Sequence, residues 1–132
     1  MRIGMKNDLD LIRTILEDVE RRETASAEVV EIAGWPEYVV ARHVERLCKD
    51  GMLEYAGKIP PMDPSQQWSY FMVRDLTTPG HEFLNAMRAT DVIQRLKSAL
   101  KPSELGALSL KKLAGIAGEL VEQSVRQKLG LD

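Results

Sequence analysis

Cysteine occurs once in this chain of 132 residues, at Cys48. A single thiol excludes an intramolecular disulfide and a cysteine-based zinc cluster, and it fits a reducing compartment. Long hydrophobic runs are missing as well. Residues 70–73 are among the longest, far below the roughly 20 apolar residues needed to cross a bilayer. Near the start, Arg2 and Lys6 are followed by Asp8 and Asp10 rather than by the apolar core of a signal peptide. The expectation is a cytoplasmic protein with no membrane association. No glycine-rich phosphate loop, nucleophile elbow or dinucleotide fingerprint occurs, and neither His43 nor His81 sits in a spaced metal motif. The chain is therefore expected not to be an enzyme and to need no cofactor and no metal.

A basic excess is also lacking, since the net charge is −2. Residues 1–56 hold eight Lys/Arg against twelve Asp/Glu, residues 57–101 six against four, and the rest is balanced. Nucleic-acid binding draws much of its affinity from neutralising phosphates. Any such surface must be local here.

What is present is ordinary globular material, 44% hydrophobic and 29% charged, enough for one domain with one core. Asn7 suits a helix cap with Asp10 three residues on, and Leu9, Ile12, Leu16 and Val19 recur at helical spacing, with Ile15 beside them. This first helix ends near Glu23. Val29, Val30 and Ile32 fit a short strand or a truncated helix, and the pattern leaves both open. Pro36 suits the first turn of a second helix, lined by Val40, Val44, Leu47 and Cys48 and stopped by Gly51. Residues 52–55 and 68–76 read as strands of a hairpin whose long loop spans 57–67. Thr77 or Thr78 caps a helix opened by Pro79 that turns Phe83, Leu84 and Met87 inward. Thr90 starts another, carrying Val92, Ile93, Leu96 and Leu100, and Pro102 closes it. Residues 109–129 form an amphipathic tail helix with Leu110, Leu113, Ala117, Leu120 and Ser124 on one stripe, Val121 and Val125 beside it.

Helix, connector, helix ending at glycine, two-strand hairpin and further helices is the order of a winged helix-turn-helix. The expected class is thus mainly α with a small β-hairpin (α+β): a winged core with its following helices over residues 1–101, and over 102–132 a C-terminal helix packing on the core or on a second subunit. The runs Met5-Lys6-Asn7-Asp8-Leu9-Asp10-Leu11-Ile12-Arg13, Gly34-Trp35, Gly51-Met52-Leu53, Leu76-Thr77 and Gly80-His81-Glu82-Phe83-Leu84, with Val40, His43, Leu47, Met87 and Arg88, carry a closer resemblance. With these landmarks the chain resembles a family of small phage and prophage proteins known as domain of unknown function 2513. That resemblance implies a winged-helix fold and a bacterial, phage-associated origin, implies no activity, and suggests Met5 as the natural start.

On the second helix, Tyr38, Arg42, Glu45, Arg46 and Lys49 oppose the apolar face, and the hairpin adds Lys58. Tyr38, Arg42, Arg46, Lys49 and Lys58 are the candidate nucleic-acid-binding residues, since arginine and lysine meet phosphates and guanine edges. A merely solvated helix face reads the same way. Binding through so few bases calls for a homodimer, for which Ala114, Gly115, Ala117 and Gly118 would let two tail helices approach. Packing of the tail onto helix one of the same chain is the alternative. The partner is expected to be double-stranded DNA, or instead a host or phage protein engaged by the acidic half. His43, His81 and Cys48 are expected to be structural, and Trp35, Trp68 and Tyr70 to pack around the hairpin.

Overall fold

A computed structural model describes residues 6–89 and 91–131. The suggested start at Met5 and the helix start at Thr90 lie outside the described residues. The fold is α+β, with six helices and a small antiparallel sheet among the described residues.

Helix α1 (Leu9–Glu20) forms because its apolar residues recur every three or four positions, which places them on one buried face. Leu11, Ile12, Ile15 and Leu16 are sealed from solvent, each contributing about 1.5–3 kcal/mol through burial. Its cap is Asp8 rather than Asn7: the Asp8 carboxylate accepts from Leu11 N–H at 3.0 Å. The helix ends at Glu20, short of Glu23, and Arg22 turns back to donate to the Val73 carbonyl at 2.7 Å.

The open choice at residues 29–32 resolves as strand at Val29 alone, with Val30 and Ile32 in neither strand nor helix. β1 (Glu28–Val29) pairs antiparallel with β3, and residues 30–36 carry no helix. Helix α2 (Glu37–Lys49) follows, with Pro36 as its cap residue rather than its first helical one. Gly51, at φ 78°, takes the left-handed turn that stops it, where a side chain would be strained.

β2 (Leu53–Ile59) is longer than expected and β3 (Tyr70–Leu76) slightly shorter. β3 is the central strand, in the order β1-β3-β2. Register shifts between Glu54 and Tyr55 and between Tyr55 and Lys58 bend the hairpin. Gly57, at φ 119°, falls in the second.

Helix α3 (Thr78–Arg88) is capped by Thr77, whose hydroxyl accepts from Gly80 N–H at 3.1 Å. α4 (Val92–Ala99) buries Val92, Ile93 and Leu96. Pro102 does not merely end α4; it opens a further helix, α5 (Pro102–Ala107), consistent with proline's suitability for a first turn. α6 (Leu110–Lys128) packs chiefly on α3 and α4 rather than on helix one. Two ion pairs fix α1 to its neighbours, Arg88 to Glu20 and Lys97 to Asp10. No helix of the described residues is long and apolar enough to cross a membrane.

Candidate nucleic-acid interface

The outward stripe of α2 runs through Tyr38, Arg42, Glu45 and Lys49. At its start Tyr38 is 51% exposed, with its ring centroid 6.0 Å from that of Trp68 at the foot of β3. That contact seats the foot of the hairpin beside the start of α2. Along the stripe, Glu45 lies between two cations, 3.6 Å from the Arg42 guanidinium and 3.1 Å from the Lys49 ammonium. Lys58 is exposed on β2, its ammonium 5.8 Å from the centre of the Phe71 ring, and Tyr55 meets the same ring edge-on at 5.0 Å.

Arg46 leaves this stripe. Its guanidinium donates to the Asn7 side-chain oxygen at 2.9 Å. The Asn7 amide in turn donates to the Leu105 and Leu108 carbonyls at 2.9 and 3.0 Å. One arginine and one asparagine thereby join α2, the approach to α1 and the end of α5. Beside them His43 is fully buried and links α2 to the start of α1: Asp8 N–H donates to Nε2 at 3.0 Å, and Nδ1 lies 2.9 Å from the Val39 carbonyl of its own helix. A backbone amide only donates and a carbonyl only accepts, so both bonds require the neutral ring with its proton on Nδ1. Burial holds the His43 pKa below its ordinary value, against the opposing effect of the Val39 bond.

Between the end of α2 and the start of α6 lies a cleft of about 360 Å³ that includes Arg46, Lys49 and Asp50. The positive start of α6 already has its anion: the Asp50 carboxylate accepts from the Leu110 and Lys111 amides at 2.8 and 3.4 Å. At the opposite end of α2 a cleft of about 450 Å³, walled by Trp35, Val40 and Tyr70, carries Glu31 and Glu37 on its rim. The basic part of α2 is therefore its middle and end, and its start is acidic.

His81 is exposed on the first turn of α3, away from His43 on α2. No group of three His, Cys, Asp or Glu suited to a metal occurs among the described residues. Cys48 is buried against the core, and burial pushes its thiol pKa up to about 12, leaving it protonated at neutral pH.

Residues 6–106 match the family model described as hypothetical protein, DUF2513. The chain belongs to that family. The DUF2513 match runs from before α1 to Gly106, the next-to-last residue of α5, and stops short of α6. An "Uncharacterized protein" of Haemophilus influenzae (strain ATCC 51907 / DSM 11121 / KW20 / Rd) is 30% identical over 122 residues, spanning 90% of this chain and 98% of that one. No solved structure matches the chain. Neither relationship supplies a function, so what this DUF2513 surface does must be argued from its own residues.

Proposed function

We propose that the protein is a winged-helix, phage-derived DNA-binding or transcription-modulating factor, acting without catalysis or cofactor, that lays the middle and end of α2 and the adjoining wing against duplex phosphates. The observation that carries this reading is the Tyr38–Trp68 contact, which sets the foot of the hairpin, whose β2 carries Lys58, against the start of the helix that carries Arg42 and Lys49. Pairing with Glu45 holds Lys49 only weakly, because that ammonium is exposed and exposed ion pairs are worth about 0–1 kcal/mol, whereas the Arg42 side chain is 20% exposed and must turn outward to meet phosphate. Glu37 at the start of α2 disfavours base reading from the end that usually enters a groove, so contacts fall on the backbone. Three cations on one copy are few beside the roughly 6–10 phosphate contacts of strong binders, so two copies act together.

Fluorescence anisotropy with random duplex DNA at low and moderate salt tests this. Arg42→Ala and Lys49→Ala should each weaken binding and reduce the salt slope by about 1. Glu45→Gln should tighten binding, since it removes the competing carboxylate. Arg46→Ala should lower the melting temperature more than it changes the slope, because Arg46 holds Asn7. Absence of any salt-sensitive binding at low salt rejects the reading, since phosphate contacts cannot form without releasing counterions.

The cleft with Glu31 and Glu37 on its rim favours a second reading, a surface for a host or phage protein carrying a basic segment. Under that reading Glu31→Lys disrupts the complex and leaves DNA titrations flat.

A further inference from the structure

Helix α6 is apolar on two faces; the fold covers the first and only part of the second, where Ala114 and Val121 pack half-buried against the core. Leu110, Leu113 and Ala117 are buried in the core, and Leu120 and Ser124 continue their stripe half-buried. About 100° round the helix, at about 3.6 residues per turn, a second stripe passes through Ala114, Gly118, Val121, Val125 and Leu129. On that stripe Val125 is 47% and Leu129 66% exposed.

The two ends of the second stripe differ in size. Near its start, Ala114 and Gly118 border an open groove of about 280 Å³ shared with Pro79 and Phe83 of α3. A Cβ at Gly118 would meet no atom within 4 Å. Near its end, Val125 and Leu129 project. Groove and projections cannot meet within one chain, because Gly118 and Val125 lie two turns apart, about 10 Å along a straight helix. A two-fold axis crossing the helix near Val121 brings them together. Val125 of each copy then faces Gly118 of the other, and Leu129 faces Ala114.

We propose that the protein forms an antiparallel, two-fold dimer through this second face of α6. The occupant is a second copy because the surface is complementary to itself, small where it would meet large. The same register sets Glu119 of one copy within about a turn of Arg126 of the other, a pair of opposite charges on each flank, and brings the two Glu122 side chains near the axis, a like-charge contact that the apolar and small residues must outweigh. The shape of α6 also calls for a partner. Beyond Val121 every described residue except Ser124 is exposed, yet the helix continues to an ordered end. There Gly130 stands at φ 70° and Leu131 N–H reaches the Arg126 carbonyl at 2.9 Å. Short helices without tertiary contacts are marginal in water, and a second helix supplies those contacts. The interface stands whether or not the protein binds DNA.

Light scattering of the whole protein at high micromolar concentration should give the mass of two chains. Gly118→Leu separates this interface from a general effect on folding. It adds a better helix former in open space, so it should preserve or raise the melting temperature of dilute protein while abolishing the dimer. Val125→Glu should abolish the dimer with the far-ultraviolet circular dichroism of the core retained. Under oxidation, Gly118→Cys mixed with Val125→Cys should crosslink, and neither variant alone should do so. A chain monomeric at all concentrations overturns the proposal, as does a dimer surviving both Gly118→Leu and Val125→Glu. Crosslinking of each cysteine variant with itself rejects the antiparallel register. DNA binding lost with the dimer intact counts against the duplex reading alone.

Discussion

Replacing Gly80 by alanine should destabilise the fold by about 3 kcal/mol or more, beyond the usual cost of one added methyl group in a packed interior. A Cβ at this position would lie 2.0 Å from the Met52 carbonyl oxygen and 3.0 Å from its carbon. Both atoms are backbone, so no rotamer change relieves the clash. The backbone cannot easily retreat, because Thr77 N–H donates to that same Met52 oxygen at 3.1 Å and the Thr77 hydroxyl donates to the Gly51 carbonyl at 2.5 Å. The start of β2 and the first turn of α3 are thus fused through Thr77 and Gly80, closing the hairpin at its base. Denaturant unfolding should show a lower midpoint, a large change for a domain holding about 5–15 kcal/mol in all. Gly115→Ala supplies the contrast: a Cβ there meets nothing within 4 Å, and the change should stabilise by up to about 1 kcal/mol. A Gly80→Ala midpoint equal to that of the parent protein would show that this approach is not fixed.

Gly80 also marks how far the sequence could be read. The segments with a strong local period were legible: α1 through Leu9, Ile12, Leu16 and Val19, and α2 through Val40, Val44 and Leu47, with Gly51 as its stop. Those patterns carry their own evidence, since the spacing that makes a helix amphipathic is visible within a dozen residues. The closeness of Gly80 to Met52 left no such trace, because it depends on how a hairpin returns to its starting point. α5 was missed for a related reason. Proline permits both a helix's end and a helix's beginning, and residues 102–107 bury no side chain that would reveal a period.

The candidate site divides in the same way. Opposition to the buried face of α2 is a periodic property, so Tyr38 and Lys49 could be placed outward from sequence, while Arg42, on the same stripe, is 20% exposed and lies against Glu45. Arg46 satisfies the same arithmetic and is diverted to Asn7. Asn7 has the residue type and position of a helix cap, and loses that role to its neighbour Asp8. Its amide is instead spent on carbonyls 98 and 101 residues away in sequence. A capping preference of about 1 kcal/mol is easily outweighed once a partly buried amide and guanidinium need partners. Tertiary demand overrides local propensity most readily for such short polar residues, which suit several turns and caps equally well.

His43 lies at the centre of that junction and should make the fold sensitive to mild acid. The folded protein holds the ring neutral, because burial penalises the charged form and because Nε2 must accept from Asp8 N–H. Its pKa is therefore depressed in the folded state relative to the ordinary value of about 6.5 expected in the unfolded chain. The unfolded state then binds a proton that the native state refuses. Stability from this residue is fully present above about pH 6.5 and declines as the pH falls, by up to about 1.4 kcal/mol per unit, until the native ring itself accepts the proton. Protonation at that point converts Nε2 from acceptor to donor and sets it against the Asp8 amide, loosening the start of α1 from α2. Denaturant midpoints between pH 7 and 5, measured in a His81→Asn background so that His43 is the only titrating imidazole, should fall with decreasing pH. His43→Gln in the same background should flatten that dependence while lowering stability at neutral pH by about 2–4 kcal/mol, through lost packing and unmet hydrogen bonds. Equal pH slopes with and without the imidazole would place the acid sensitivity in the carboxylates and remove His43 from the account.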